Sequence, residues 1–490
     1  LNKIPFYTFL LAVFFCLHGV SENVGYISFY EAATTCLVIL LSISLLYSII
    51  YLFRRNIQYA GIVTFFLSVL YLFFGAIQDN VKNIPFIRSY IGLLLLMLIV
   101  SSAVILYFRK KSIKWPKWTL YLNILLIIYC MVDTTTIFIK LPATQATTPA
   151  AEAFNIDISS IKQKPNVYFL LFDEYPGYKS LKDSFNFKND ALYKKLRADS
   201  YTIMPVFSNY SMTSLSMSSL LNMQYIKGLD LAKVGQKEIQ LRLKEIKNGQ
   251  VFKLFSQLGY KISSYSIFDV MDKESLGGNS FILGHSRLLT DKIFHNRFIK
   301  DARWIFLKGR FAIPAFQRLY FGDILSYNER VELGLMEALA HNNQTPQFVY
   351  AHFLLPHQPY FYDSAGIKQQ VTHLQDDTVL KNKSLFISYL KYTNKKIEAY
   401  SDSIIKTDPT ALIIIMSDHG FRDYNSSKTY EPFNFDNFCA IYYKAAKPSA
   451  YYAQISNVNV FRLVLNEFYH QNMPYLKDQI GVLKEIKNPN

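Results

Sequence analysis

The sequence predicts a multi-span α-helical membrane domain followed by an α/β domain with a mainly parallel central sheet. Three observations carry that prediction. The chain has 490 residues, is 51% hydrophobic and yet bears a formal net charge of +16, and its apolar residues concentrate before about Ile139. Beyond Lys164, apolar runs of strand length alternate with helical patterns, as in a parallel sheet flanked by helices. One such run, Ile413-Ile414-Ile415-Met416, is β-branched and ends abruptly in Ser417-Asp418-His419-Gly420. In open α/β sheets, ligands bind beyond the carboxyl ends of the strands, where this Asp-His pair would sit.

Five apolar stretches approach the roughly 20 helical residues needed to cross a bilayer. They lie near Ile4–Val20, Tyr30–Phe53, Tyr59–Ile77, Tyr90–Phe108 and Trp118–Ile139. The first has the length of a signal peptide, but further apolar stretches follow it where a cleavage site and a soluble domain would stand. Arg54-Arg55 and the cluster Arg109, Lys110, Lys111, Lys114, Lys117 occupy alternate loops, which the positive-inside rule assigns to the cytoplasm. An odd number of spans then exports everything after Lys140. The expected organisation is a transmembrane domain over 1–140 with five helices, a linker over 141–164 rich in Ala, Thr and Pro, and an extracytoplasmic domain over 165–490. The expected location is a bacterial-type inner or plasma membrane, multi-pass, with the exported domain periplasmic.

Charge and cysteines narrow the function classes. Residues 1–140 hold 11 Lys/Arg against 4 Asp/Glu, leaving about +9 on the exported part, a surplus that favours anionic headgroups or acidic glycans. No nucleic-acid motif accompanies it. Cys16, Cys36 and Cys130 lie in the apolar stretches and only Cys439 beyond them, so no disulfide within the exported domain is available and its stability rests on its core.

Within the exported half, Val167–Phe172 reads as a strand, Asn189–Asp199 as a helix, and Ser216–Met223 as a helix after a hydroxyl-rich turn. Val251–Leu258 is helical and Lys261–Ser266 a strand. Phe348–Phe353 is another strand, Ser384–Lys406 a long helix and Ala411–Met416 the strand before the Asp-His pair. From Met271 to Gln344 the pattern is less regular. There the aromatic and basic run Arg303-Trp304-Ile305-Phe306-Leu307-Lys308-Gly309-Arg310-Phe311 suits either a helix on the membrane surface or one packed in a core.

Four polar groups fall just past strands or at a helix start. They are Asp173-Glu174, the segment Asn209 to Ser216, the segment His352 to Tyr360, and Asp418-His419. Singly, each has a plainer reading as a cap, a turn or a satisfied core histidine. Together they place carboxylate, hydroxyl, carboxylate and imidazole on one sheet edge. That set suits a divalent metal able to acidify the hydroxyl and polarise a phosphoryl or sulfuryl oxygen.

These residues carry a resemblance. Asn166-Val167-Tyr168-Phe169-Leu170-Leu171-Phe172-Asp173 resembles the first strand of the alkaline phosphatase superfamily, which ends in a metal-binding acid. Thr213-Ser214-Leu215-Ser216-Met217-Ser218-Ser219-Leu220-Leu221 is similar to the nucleophile segment of its sulfatase-like branch. His352 and Pro356-His357-Gln358-Pro359-Tyr360 resemble the substrate-side histidine motif. Ser417-Asp418-His419-Gly420 resembles the second metal-ligand pair, and Lys428-Thr429-Tyr430-Glu431 a segment that follows it in sulfatases. That branch includes sulfatases, lipid A phosphoethanolamine transferases and lipoteichoic acid synthases. The resemblance spans roughly 165–450.

The resemblance implies an alkaline-phosphatase-like (sulfatase) domain holding one divalent metal on Asp173, Thr213, Asp418 and His419. Zinc is expected, with manganese or calcium as alternatives for oxygen-rich ligation. It implies Thr213 as nucleophile, His357 as the group that stabilises or protonates, His352 in support, and Glu174 and Lys428 on the substrate side. A five-span anchor is shared with the transferases and synthases. Thr213 cannot become the formylglycine of sulfatases, and no histidine lies between Gly420 and Glu467 to hold a second metal. The implied activity is a metal-dependent phosphoester transferase acting on a membrane lipid or envelope glycan. The alternatives are a sulfuric or phosphoric ester hydrolase of the same superfamily, and a non-catalytic envelope-assembly protein.

Overall fold

Two units divide the computed structural model, one of Leu1–Pro149 with Leu283–Phe306, the other of Ala150–Ile282 with Leu307–Asn490. The structure describes residues 2–481 except 26, 110–114, 147–153, 155, 158–159, 162, 232–233, 278–284, 308–310, 341–344, 370–373, 375–382, 423–431, 447–451 and 453.

The first unit is helical: α1 (Tyr7–Glu22), α2 (Phe29–Arg54), α3 (Ile57–Leu72), α4 (Phe74–Val81), α5 (Tyr90–Tyr107) and α6 (Trp115–Ala146). Three of these, α2, α5 and α6, are long and apolar enough to cross a membrane. The third expected span is instead a pair, α3 and α4, bent by 62°, and α1 is a shorter apolar helix of 16 residues. Ser28 opens α2 with a capping box: its hydroxyl accepts from the Glu31 N–H, and Glu31 accepts from the Ser28 N–H. The apolar faces of α1, α3 and α6 share a core that includes Tyr7, Leu11, Ile62 and Leu126.

The second unit first supplies β1 (Val167–Phe172), α7 (Tyr178–Phe185), α8 (Asp190–Ala198), β2 (Thr202–Ile203), β3 (Val206–Phe207), α9 (Thr213–Asn222), α10 (Gln236–Lys247), α11 (Gln250–Gln257) and β4 (Lys261–Tyr265). The chain then returns to the helical unit with two further helices, α12 (His285–Thr290) and α13 (Phe294–Leu307). The aromatic and basic run of the sequence begins on α13, which packs through Phe294 on Phe74 and Phe298 on Tyr90. Arg297 pairs with Asp79 at 2.9 Å, and the Tyr90 hydroxyl donates to Asp301 at 2.7 Å.

The second unit resumes with α14 (Pro314–Ala340), β5 (Gln347–Phe353), the long helix Lys383–Thr407, β6 (Leu412–Met416), β7 (Asp436–Asn437), β8 (Cys439–Tyr443), β9 (Ile455–Ser456) and the helix Asn457–Tyr469. Its main sheet has the order β2-β8-β6-β1-β5-β4. β6, β1, β5 and β4 run parallel, whereas β8 is antiparallel to β6 and β2 antiparallel to β8. The sheet is thus parallel at its centre and antiparallel at one edge. Every residue of β1, β5 and β6 is buried, which is why these strands read as unbroken apolar runs. A second sheet, β7-β3-β9, is small.

Register fixes where the chemistry lies. Leu171 of β1 faces Met416 of β6 on one side and His352 of β5 on the other. Asp173 follows Leu171 by two residues and Asp418 follows Met416 by two, so both leave the sheet at the same level of its carboxyl edge.

Candidate metal centre and nucleophile

Four elements deliver the site. Asp173 follows β1, and its N–H still bonds the Phe353 carbonyl at 2.9 Å, extending the ladder one residue beyond the strand. Asp418 and His419 follow β6. Thr213 is the first residue of α9, three positions before the helix start expected at Ser216, so its hydroxyl stands at a helix N-terminus. His352 is the penultimate residue of β5.

Asp173, Asp418 and His419 form a buried group able to hold a metal ion, with one ligand atom from each within 4.8 Å of the others. His419 Nε2 lies 3.1 Å from Asp418 Oδ2, 3.9 Å from Asp173 Oδ1 and 3.2 Å from Thr213 Oγ1. The His419 Nδ1–H donates to the Gly420 carbonyl at 2.7 Å. That bond assigns the tautomer and leaves the Nε2 lone pair for a ligand role. Among the described residues, Asp173 Oδ1, Asp418 Oδ2 and His352 Nε2 are buried without a hydrogen-bond partner. Buried polar atoms are nearly always paired, so the orphaned oxygens of Asp173 and Asp418, grouped with His419 beside the Thr213 hydroxyl, fit a cation. Carboxylate, carboxylate, imidazole and hydroxyl are a donor set that zinc accepts.

The electrostatics agree. Burial pushes the Asp418 carboxyl up to about 7, with the Asp173 charge adding to it. Burial would also raise Asp173, but His357, His352 and His419 outweigh it and hold that carboxyl well below the usual range. Burial, then the Arg422 charge, lowers His419 to about 4, so its imidazole is neutral near pH 7. Two carboxylates this close cannot both ionise freely without a cation.

The Asp418 loop is pinned from behind. Its carbonyl accepts from Ser216 Oγ at 2.6 Å and from Asn457 Nδ2 at 2.7 Å. Asn437 Nδ2 donates to the Ser417 carbonyl at 3.1 Å. Gly420 closes the turn where a Cβ would sit 2.0 Å from the Phe433 carbonyl oxygen. Asn437 and Asn457 lie outside the sequence motifs, and Ser216 lies within the nucleophile segment without a role that the motif assigns to it.

Glu174, expected on the substrate side, is buried, and its left-handed backbone (φ 65°) turns its N–H onto Asp418 Oδ1 at 3.1 Å. Its carboxylate accepts from the Arg422 N–H at 2.8 Å and stands 3.8 Å from His357 Nε2. The His357 Nδ1–H donates to the Gln358 carbonyl at 2.5 Å. His352 is fully buried, with Nε2 3.7 Å from Asp173 Oδ2 and Nδ1 3.0 Å from the Tyr350 hydroxyl. The structure thus brings together Asp173, Glu174, Thr213, His352, His357, Asp418 and His419. Lys428 lies outside the described residues. Arg422 stands two residues past the Ser-Asp-His-Gly motif, and nothing in the motif, which ends at Gly420, points to it.

No protein-family model matches the chain, and none of the curated proteins matches it. Among solved structures it is similar to the C-terminal periplasmic domain of EcEptC from Escherichia coli in complex with Zn. That similarity has 11% identity and a TM-score of 0.41, covering 67% of this chain and 92% of that one. It is similar to the integral membrane protein lipooligosaccharide phosphoethanolamine transferase A (EptA) from Neisseria meningitidis, at 11% identity and a TM-score of 0.37, over 92% of this chain and 94% of that one. A protein in the alkaline phosphatase superfamily from Vibrio parahaemolyticus gives 11% identity and a TM-score of 0.36, over 66% of this chain and 76% of that one.

Proposed function

We propose that the protein is a metal-dependent phosphoester transferase that works through Thr213. The observation that carries this reading is the convergence of Asp173 Oδ1, Asp418 Oδ2 and His419 Nε2 beside Thr213 Oγ1 at the N-terminus of α9. A divalent metal held by Asp173, Thr213, Asp418 and His419 would supply the positive charge that acidifies the hydroxyl and offsets charge on the phosphoryl oxygens.

The chain's own groups account for the remaining steps. Thr213 Oγ1 attacks phosphorus as its proton leaves to solvent, and the N-terminal dipole of α9 favours the anionic group there. The bond from phosphorus to the leaving oxygen breaks, and that oxygen takes a proton from His357. His357 is partly exposed and Glu174, 3.8 Å away, orients it. In the second half an acceptor hydroxyl attacks phosphorus and gives its proton to His357, the bond from phosphorus to Thr213 Oγ1 breaks, and Oγ1 takes a proton back from solvent. His352 positions Asp173. The donor is a membrane phospholipid, and the acceptor an envelope glycan hydroxyl.

The test is mass spectrometry of the Thr213 peptide after incubation of the metal-loaded protein with diacyl phospholipids. A phosphoester adduct on Thr213, absent from Thr213→Ala, is expected, and its mass identifies the group carried. Unmodified Thr213 together with full turnover would refute the nucleophile. Turnover at the same rate with and without a glycan acceptor would make the protein a hydrolase.

A further inference from the structure

The helical unit contains a cleft of about 760 Å3 that the proposed chemistry does not use. It runs along the middle of α2 from Thr34 to Leu46, against the last turns of α3 and the start of α13. Val38, Ile43, Leu46 and Leu67 line it with Ser42 and Ser68 among them, and Thr34, Tyr71, His295 and Asn296 line it towards the start of α2 and the end of α3. Tyr71 Oη and His295 Nδ1 bond at 2.7 Å across that end.

We infer that this cleft binds one acyl chain of a diacyl glycerophospholipid, with the ester and phosphate oxygens at the Thr34–Asn296 end. Three physical arguments name the occupant. The apolar window of α2 is only 11% buried within the protein, so a helix of that composition is covered by lipid, and a cleft opening onto hydrocarbon fills with hydrocarbon. The helix rises about 18 Å from Thr34 to Leu46, close to half of the ~30 Å hydrocarbon core. The depth thus suits a single acyl chain of one leaflet. Arg54 and Arg55 close the far end of α2, so the Thr34–Asn296 end belongs to the extracytoplasmic leaflet. This site stands whether or not the protein transfers phosphoesters.

The test uses the full chain in micelles doped with phosphatidylethanolamine carrying a diazirine on one acyl chain. After irradiation, label should concentrate on peptides covering 34–46 and 67–72, and unlabelled phosphatidylethanolamine should compete it away. Val38→Trp combined with Ser42→Trp fills the cleft at two residues exposed in the unit. It should lower that label about fivefold or more, equivalent to about 1 kcal/mol in occupancy, with helical circular dichroism unchanged. Leu98 and Ile99 on α5 face outward and give the background of non-specific contact. Label on α2 no greater than on α5, or label that unlabelled lipid does not compete away, would overturn the site. The competition arm uses the wild-type protein alone, so it decides the matter even where the tryptophan variant misfolds.

Discussion

Thr213 Oγ1 lies 3.2 Å from His419 Nε2, although the two residues are 206 apart in sequence. One comes from the first turn of a helix and the other from the loop after the central strand, so the contact exists only when α9 docks on the carboxyl edge of the sheet. An imidazole whose other nitrogen is already bonded to Gly420 meets a hydroxyl whose helix dipole favours negative charge.

Thr213→Ala should therefore lower transfer by at least about a thousandfold, since groups acting as a unit cost nearly the whole rate when one is lost. Thr213→Ser keeps the hydroxyl and should retain adduct formation. The protein should remain folded in both, because Thr213 is only partly buried. Lipid turnover and adduct mass measured on the same preparations check this, and an active alanine variant would remove Thr213 from the chemistry.

Metal affinity should depend on pH through Asp418. Its carboxyl, raised by burial and then by Asp173 to about 7, holds the proton that a cation must displace, while His419 is already neutral. Below about pH 7 affinity should fall about tenfold per pH unit and level off above it. The linkage sign follows: without metal, a carboxyl raised above its ordinary 3.8 favours folding fully below that value, and the gain is lost as pH rises through about 7. A saturating metal should consequently raise Tm more at pH 8 than at pH 6. Calorimetric titration in two buffers should detect about one proton released per metal bound at pH 6; none released would mean that Asp418 is not the group displaced.

Much of this site was legible in the sequence because buried parallel strands read as apolar runs and their ends expose the polar residues. β1 is Val167–Phe172 as expected, and β6 differs by one residue at its start. The helix start at Thr213 was less legible, since Met212-Thr213-Ser214 has the composition of a turn and only docking commits it to α9. The break between α3 and α4 follows from a partner far away: the Gly75 N–H donates to the Lys292 carbonyl at 2.7 Å, and a Cβ on Gly75 would lie 2.9 Å from the Lys292 Cα. Cys439–Tyr443 was not assigned as a strand, and it supplies the antiparallel edge. Asn437 and Asn457 carry no local signature, because their partners are backbone carbonyls of the Asp418 loop.

Glu174→Gln should separate orientation from binding. The amide keeps a carbonyl to accept from the Arg422 N–H but loses the charge facing His357. Proton delivery should weaken by about tenfold to a hundredfold in kcat, the lower part of the range for general acid–base catalysis. Metal affinity should change little, because Glu174 touches the ligand set only through its backbone N–H on Asp418. A leaving group of low pKa, such as 4-nitrophenol, needs no proton and should restore most of the rate. Equal loss with both leaving groups would assign Glu174 to the fold instead.

Asn457→Ala tests the support behind the proposed metal ligands. Asn457 Nδ2 donates to the Asp418 carbonyl at 2.7 Å and to Ser216 Oγ at 3.2 Å, all within a fully buried cluster. Removing it leaves that carbonyl Ser216 Oγ and a long 3.4 Å bond from Asn437 Nδ2, and should cost about 1–3 kcal/mol of stability. The carbonyl belongs to the residue whose carboxylate would hold the metal, so the loop should loosen where the ligands need fixing. Loss of such supporting contacts typically weakens metal binding by about 10–100-fold. Asn457→Asp preserves volume but places an acceptor against an acceptor, and should be worse than alanine in both stability and affinity. Denaturant unfolding and metal titration on the two variants check the ordering; an aspartate variant as stable as wild type would show that the Asp418 carbonyl does not depend on this bond.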